Sequence, residues 1–301
     1  MTTERISARY ADLDLWPTVD AVQAMLEGQL AAAAAVQSQA GAIAAAAEAA
    51  ADRLRGGVGR LIYAGAGTSG RLAVLDAVEL GPTYDWPEHR TVYVLAGGMD
   101  ALLASVEGAE DDADAGAAAV NSAAAGADDV MIAVAASGRT PYTLGAVRAG
   151  ATAGALAIGM ASNSDTPLLE AADHPILLET GPEIVAGSTR MKAGTAQKIA
   201  LNLLSTAIML RLGRIYKGLM VDMRLSNLKL QARASAMVQD ISGVNETSAS
   251  IALVRAGGKI KLASLIALGL DADDAARLLS ESGDNLRVAL ASGQPYLSPY
   301  A

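Results

Sequence analysis

Two glycine- and hydroxyl-rich runs carry the clearest chemical signal in this chain. Gly65-Ala66-Gly67-Thr68-Ser69-Gly70-Arg71 follows the apolar run at 60–64, and Ser137-Gly138-Arg139-Thr140-Pro141 follows the one at 130–136. A buried strand, a glycine turn and a helix start bring backbone N–H groups and the positive end of a helix dipole to one spot, and hydroxyls add donors. One such loop is a common feature. Two on neighbouring strands point to a phosphorylated small molecule held at the carboxyl edge of a sheet. A third stretch puts Ser188 and Thr189 before a long apolar helix candidate, with Arg190, Lys192 and Lys198 close by. A helix cap and an anion contact would use the same residues there.

The elements that must position these loops alternate along the chain. Strand-like runs fall at 60–64, 91–95, 130–136, 154–159 and 175–178. Helix-prone stretches fall between them at 70–80, 100–107, 112–125 and 141–150, with further helices expected at 193–212 and 219–237. This alternation predicts an α/β fold, a mainly parallel sheet covered by helices on both faces. Before it, residues 1–55 read as a polar start and a helical segment entered at Pro17-Thr18. Beyond Asp240, short helices separated by Gly257-Gly258, Gly269 and Gly283 predict a small helical domain. The expected organisation is therefore 1–55, 56–239 and 240–301.

Composition narrows the chemistry. The core must rest on Ala, Leu, Val and Ile, because Phe is absent and aromatics make up 3%. A formal charge of −9 argues against a nucleic-acid surface, so a bound phosphate must be met by local dipoles and a few cations. Cysteine is absent, which excludes thiolate catalysis and Cys-ligated metal, and His89 and His174 lie too far apart in sequence to pair on a helix. No metal or cofactor is expected. The N-terminus lacks a secretion pattern, and Gln37, Gln39 and Glu48 punctuate the Ala-rich segment at 31–51. A soluble cytoplasmic protein with no membrane partner is the expectation. Gly65, Gly67 and Gly70 also fit a dinucleotide fingerprint, but the second strand ends in Ala96-Gly97-Gly98 where that motif wants an acidic residue.

The run Leu61–Arg71, the run Ala135-Ala136-Ser137-Gly138-Arg139-Thr140-Pro141-Tyr142 and the run Gly187-Ser188-Thr189-Arg190-Met191-Lys192-Ala193-Gly194-Thr195-Ala196-Gln197-Lys198 resemble, in order, those of bacterial N-acetylmuramic acid 6-phosphate etherases. The resemblance covers nearly the whole chain. It implies a sugar isomerase (SIS) type three-layer αβα domain followed by a small ubiquitin-associated-like helical domain. It also implies cleavage of the D-lactyl ether of N-acetylmuramic acid 6-phosphate to N-acetylglucosamine 6-phosphate and D-lactate, in the recycling of cell-wall sugars. On this resemblance the general acid falls on Glu79 and the general base on Glu110. Where the family usually reads Ser-Glu-Cys-Pro-Pro-Thr around the acid, this chain has Val78, Leu80 and Gly81.

The reaction so implied needs one ionised and one protonated carboxyl group around a single sugar. Val78 and Leu80 flank Glu79 in sequence, and apolar neighbours that desolvate a carboxyl favour its neutral form. The phosphate contacts are expected from Thr68, Ser69, Ser137, Gly138, Thr140 and Ser188, and a sugar-hydroxyl contact from Glu183. Arg71 and Arg139 are candidate ligands or salt-bridge partners. Glu79 lies ten residues beyond Ser69, roughly 15 Å along a helix, which is longer than a sugar phosphate. A homodimer with shared active sites is the hypothesis that removes this conflict. Two other functions fit the same fold: an aldose–ketose sugar-phosphate isomerase, which needs no leaving-group acid, and a non-catalytic sugar-phosphate-sensing regulator, which could dispense with both glutamates.

Overall fold

The computed structural model describes residues 1–293; residues 294–301 of the expected segment 240–301 lie outside that range. Five strands, β1 (Leu61–Gly65), β2 (Thr91–Leu95), β3 (Val130–Val134), β4 (Leu156–Ala161) and β5 (His174–Leu177), form one sheet. Their order is β2-β1-β3-β4-β5 and every pairing is parallel. β1 and β3 are buried along their whole length, as their continuous apolar runs require.

Seven helices accompany the sheet: α1 (Thr18–Gln37), α2 (Ala40–Leu54), α3 (Gly67–Tyr84), α4 (Ala113–Ser122), α5 (Pro141–Thr152), α6 (Pro167–Glu170) and α7 (Lys192–Arg211). Ile62, Ala64, Met131 and Ala133 share one face of the sheet and pack against Val120 of α4 and Tyr142, Ala146 and Val147 of α5. Tyr63, on the opposite face by the two-residue period of a strand, reaches Asp76 of α3. A core without Phe closes by bringing backbones together. A Cβ on Gly116 of α4 would run into the Tyr142 carbonyl, and one on Gly145 of α5 into the Ala113 carbonyl.

The strand order places the site. The connection leaving β1 leads outward to β2, whereas the one leaving β3 leads the other way to β4. Loops that diverge in this manner open a crevice at the carboxyl edge of the sheet, between β1 and β3. Gly65 and Val134 are register partners, so the two hydroxyl-bearing loops leave the sheet side by side.

Two expected helices differ. At 100–107 there is only a 3₁₀ turn, Met99–Leu102, and a second turn follows at Ala109–Asp111. Gly97, Gly98 and Gly108 all have positive φ and interrupt the helix pattern. The helix expected at 219–237 begins only at Leu228, where the Asn227 side chain accepts the Leu230 N–H. Ahead of it Tyr216 and Leu219 form an antiparallel bridge.

The chain divides into two compact units, Met1–Val78 with Pro87–Ile208, and Glu79–Trp86 with the chain from Met209. The second is helical: α8 (Leu228–Ser242), α9 (Glu246–Arg255), α10 (Ile260–Ala267), α11 (Ala272–Glu281) and α12 (Leu286–Ser292). Val238, Ala249, Ile260, Leu265 and Leu286 centre its core. Asn227, Asn245, Asp271 and Asn285 each cap a helix by accepting a backbone N–H. The C-terminal end of α3 belongs to this unit; Arg214 donates to the Tyr84 carbonyl at 2.7 Å and Arg224 to the Asp85 carboxylate at 2.6 Å. Among the described residues no single helix is long and apolar enough to cross a membrane.

Candidate functional site

The first loop is set by glycine. A Cβ on Gly65 would lie 2.8 Å from Gly70 Cα, and one on Gly70 would overlap Leu95, so only two glycines let α3 start directly from β1. The first backbone bond of that turn runs from Gly70 N–H to Ala66 C=O at 3.0 Å. The N–H groups of Gly67, Thr68 and Ser69 therefore fall at the helix start that an anion would occupy. The Ser69 hydroxyl donates to Gln197 Oε1 at 3.0 Å, and Gln197 is fully buried on α7. Thr68 meets the first turn of α7: a Cβ on Gly194 would be 3.5 Å from Thr68 Cγ2.

The second loop turns at Gly138 (φ 65°), where any Cβ would collide with Thr166. Ser137 Oγ lies 3.3 Å from Thr140 Oγ1 and accepts the Arg139 N–H at 3.1 Å. Pro141 opens α5, as expected for a first helical position. Of the two arginines, Arg139 donates to the Asp165 carbonyl at 2.9 Å, and Arg71 donates to the Ala101 carbonyl at 2.8 Å and the Ala104 carbonyl at 3.2 Å. Both hold loops through backbone carbonyls.

The third loop precedes α7. Glu183 is fully buried and spans the helix start: Oε2 accepts the Lys192 N–H at 3.0 Å and Oε1 the Ala193 N–H at 2.9 Å. The cap is therefore Glu183, and Ser188 sits half-buried in the turn before it. Lys192 Nζ donates to the Pro182 carbonyl at 2.8 Å; burial draws its pKa down, and Glu183 opposes that shift.

Glu110 is exposed on the turn Ala109–Asp111, which packs against α5, the helix that the Ser137–Thr140 loop opens. Glu79 is exposed on α3. Val78 also faces solvent, and Leu80 turns into the core, so the sequence neighbours do not wall in the carboxyl. Helical geometry explains this, since adjacent residues point about 100° apart.

Sequence reasoning passed over several polar groups around these loops. Asp76 is buried and accepts from Tyr63 Oη at 3.1 Å, Asn202 Nδ2 at 2.6 Å and Ser205 Oγ at 3.1 Å. Burial raises its pKa against those three hydrogen bonds. The network ties α3 to α7 beneath the first loop. Asn163, after β4, donates to the Ala136 carbonyl at 2.9 Å beside Ser137. Its position in Ser162-Asn163-Ser164, at the end of another strand, was the available signal.

Residues 41–167 match the glucokinase regulatory protein N-terminal SIS domain. Relatives named N-acetylmuramic acid 6-phosphate etherase cover nearly the whole chain. The one from Deinococcus radiodurans is 52% identical over 97% of this chain and 96% of its own. The one from Streptomyces coelicolor is 47% identical over 97% and 94%. The one from Mycolicibacterium smegmatis is 41% identical over 97% and 98%. With the three hydroxyl-bearing loops gathered at one edge of a parallel sheet, this chain belongs to the N-acetylmuramic acid 6-phosphate etherase family.

Proposed function

We propose that the chain cleaves the D-lactyl ether of N-acetylmuramic acid 6-phosphate, giving N-acetylglucosamine 6-phosphate and D-lactate in cell-wall sugar recycling, in the cytoplasm. The observation that carries this reading is identity of 41–52% to etherases along nearly the full chain. The isomerase and regulator readings are not favoured. The glucokinase regulatory protein match is confined to residues 41–167, whereas the etherase likeness runs through the helical unit as well.

In the open-chain sugar the C2 proton lies beside an aldehyde. The Glu110 carboxylate removes it, and the electrons of that C–H bond form an enolate. The C3–O bond then breaks, its electron pair leaves with the lactyl oxygen, and Glu79 supplies the proton that makes lactate. Water adds to C3 of the unsaturated aldehyde by the reverse path, and C2 is reprotonated. The sum is one water consumed per ether broken.

Thr68 and the N–H of Ser69, with Ser137, Gly138, Thr140 and Ser188, hold the phosphate on this reading. Because the Ser69 hydroxyl is donated to Gln197, its backbone N–H is the contact offered. Glu183 acts through α7 by fixing its first turn. α3 runs unbroken from Gly67 to Tyr84, which supports a homodimer in which each Glu79 serves the partner's sugar. Apolar surface on α1 supports a second copy as well: Val19, Val22, Leu26 and Leu30 recur at helical spacing, each more than half exposed.

Purified chain should release D-lactate from N-acetylmuramic acid 6-phosphate. Glu79→Gln and Glu110→Gln should each lower kcat by about 10²–10⁴, the usual worth of a general acid or base. A mixed dimer of Glu79→Gln and Glu110→Gln chains should recover part of the activity, because one of its two sites then pairs an intact acid with an intact base. Unchanged lactate release in Glu79→Gln would remove its role as the acid, isomerisation of a sugar phosphate without lactate release would favour the isomerase, and no recovery in the mixed dimer would remove the shared site.

A further inference from the structure

The first residues of the chain reach into the carboxyl edge of the sheet. Thr3 is fully buried although it belongs to a polar stretch far from any core element in sequence. The Thr2 N–H donates to Asn163 Oδ1 at 2.7 Å and the Thr3 N–H to the same oxygen at 3.4 Å. In return Asn163 Nδ2 donates to Thr3 Oγ1 at 3.2 Å and to the Ala136 carbonyl at 2.9 Å. The Thr3 carbonyl accepts the Gly187 N–H at 3.1 Å. Ala136 immediately precedes Ser137, and Gly187 immediately precedes Ser188.

One short segment therefore bridges two of the three hydroxyl-bearing loops. Asn163 uses its amide and its carbonyl fully: two donors placed, one acceptor filled twice. The Ser162 N–H also donates to the Ala136 carbonyl at 2.9 Å and ties that residue to the end of β4, but Gly187 lies ten residues beyond β5, so the sheet ladder does not set the separation of the two loops. We propose that Thr3 and Asn163 are positioning residues that fix the spacing of the Ser137 and Ser188 loops around the sugar phosphate. This rests on the etherase reading for the identity of the ligand. A clamp of this kind acts on binding of the phosphate and leaves proton transfer at C2 and C3 to other residues, so its loss should appear in KM.

Thr3→Val keeps the volume and the backbone bonds and removes only the hydroxyl acceptor of Asn163; Thr3→Ser keeps the acceptor; Asn163→Ala removes every bond of the Asn163 side chain and leaves only the Thr3 carbonyl on the Gly187 N–H. Each full-length variant is assayed on N-acetylmuramic acid 6-phosphate, binding of N-acetylglucosamine 6-phosphate is measured by calorimetry, and the thermal midpoint is recorded. Thr3→Val and Asn163→Ala should raise KM and weaken calorimetric binding by about tenfold or more, the size of a buried hydrogen bond lost. Their kcat should stay within about twofold of wild type, and Thr3→Ser should restore wild-type KM. Folded variants with unchanged KM and binding overturn the proposal, as does a fall in kcat alone. A lowered thermal midpoint with unchanged KM reduces the clamp to a purely structural contact and also overturns it. If wild type releases no lactate, the functional reading fails instead, and this inference with it.

Discussion

Glu183 has the contacts that its sequence position announces least. In sequence it is an acid near a hydroxyl-rich loop, open to contact with a sugar. In the fold each carboxylate oxygen accepts a backbone N–H at the start of α7, a charge-assisted pair at the positive end of a helix dipole. Glu183→Gln puts an amide NH₂ against one of those N–H groups and removes the charge. It should cost about 1–3 kcal/mol in urea unfolding, the penalty for leaving a buried backbone donor unpaired. A variant as stable as wild type but with a raised KM would mean that Glu183 touches the sugar directly. Spacing alone could not separate these roles, because a buried cap and an exposed ligand share the same local sequence. Gly138 was legible for the opposite reason: a positive φ and the nearby Thr166 leave no room for a side chain, and a Ser-Gly pair after an apolar run announces such a turn.

At the scale of elements, strand positions were readable to within two residues, most directly β1 and β3, which are buried, unbroken apolar runs. The connection from β2 to α4 was not. Its apolar residues suggested helix, yet Leu103 is almost wholly exposed, and Arg71 holds the loop by two carbonyls instead. That loop leads to Glu110. Arg71→Gln should speed amide exchange at residues 99–104 and lower kcat about tenfold, since a misplaced base loses rate faster than binding. Unchanged exchange and kcat would show that the loop holds its shape without the guanidinium. The helical unit carries a different device. Asp222 is pushed up to about 6, first by burial and then by Asp284, with Lys261 and Arg214 acting against the shift. Lys261 Nζ lies 2.6 Å from Asp222 and 3.0 Å from Asp284. A carboxyl whose folded value is raised contributes stability below its unfolded value of 3.8 and loses it as pH climbs through about 6. Between about pH 4.5 and about pH 7, urea midpoints should therefore shift in favour of Asp222→Asn relative to wild type. A gap independent of pH would contradict this.

For the whole molecule, the class of fold was legible. Alternating apolar and helix-prone segments gave the parallel sheet, and the paired loops fell at its switch point because strand order, not sequence distance, makes Gly65 and Val134 neighbours. What the sequence could not show was closure by distant segments: Thr3 on Asn163, Ser69 on Gln197, Asp76 on Asn202. Those pairs are more than 120 residues apart and have no local signature. On the proposed function the ether breaks by elimination at C2–C3 and water then adds to the sugar. This is tested most directly by incubating the protein with N-acetylmuramic acid 6-phosphate in ¹⁸O-enriched water and locating the label by mass spectrometry. Elimination and hydration leave D-lactate unlabelled and put one heavy oxygen at C3 of N-acetylglucosamine 6-phosphate; heavy oxygen in the lactate, with none at C3, would rule them out.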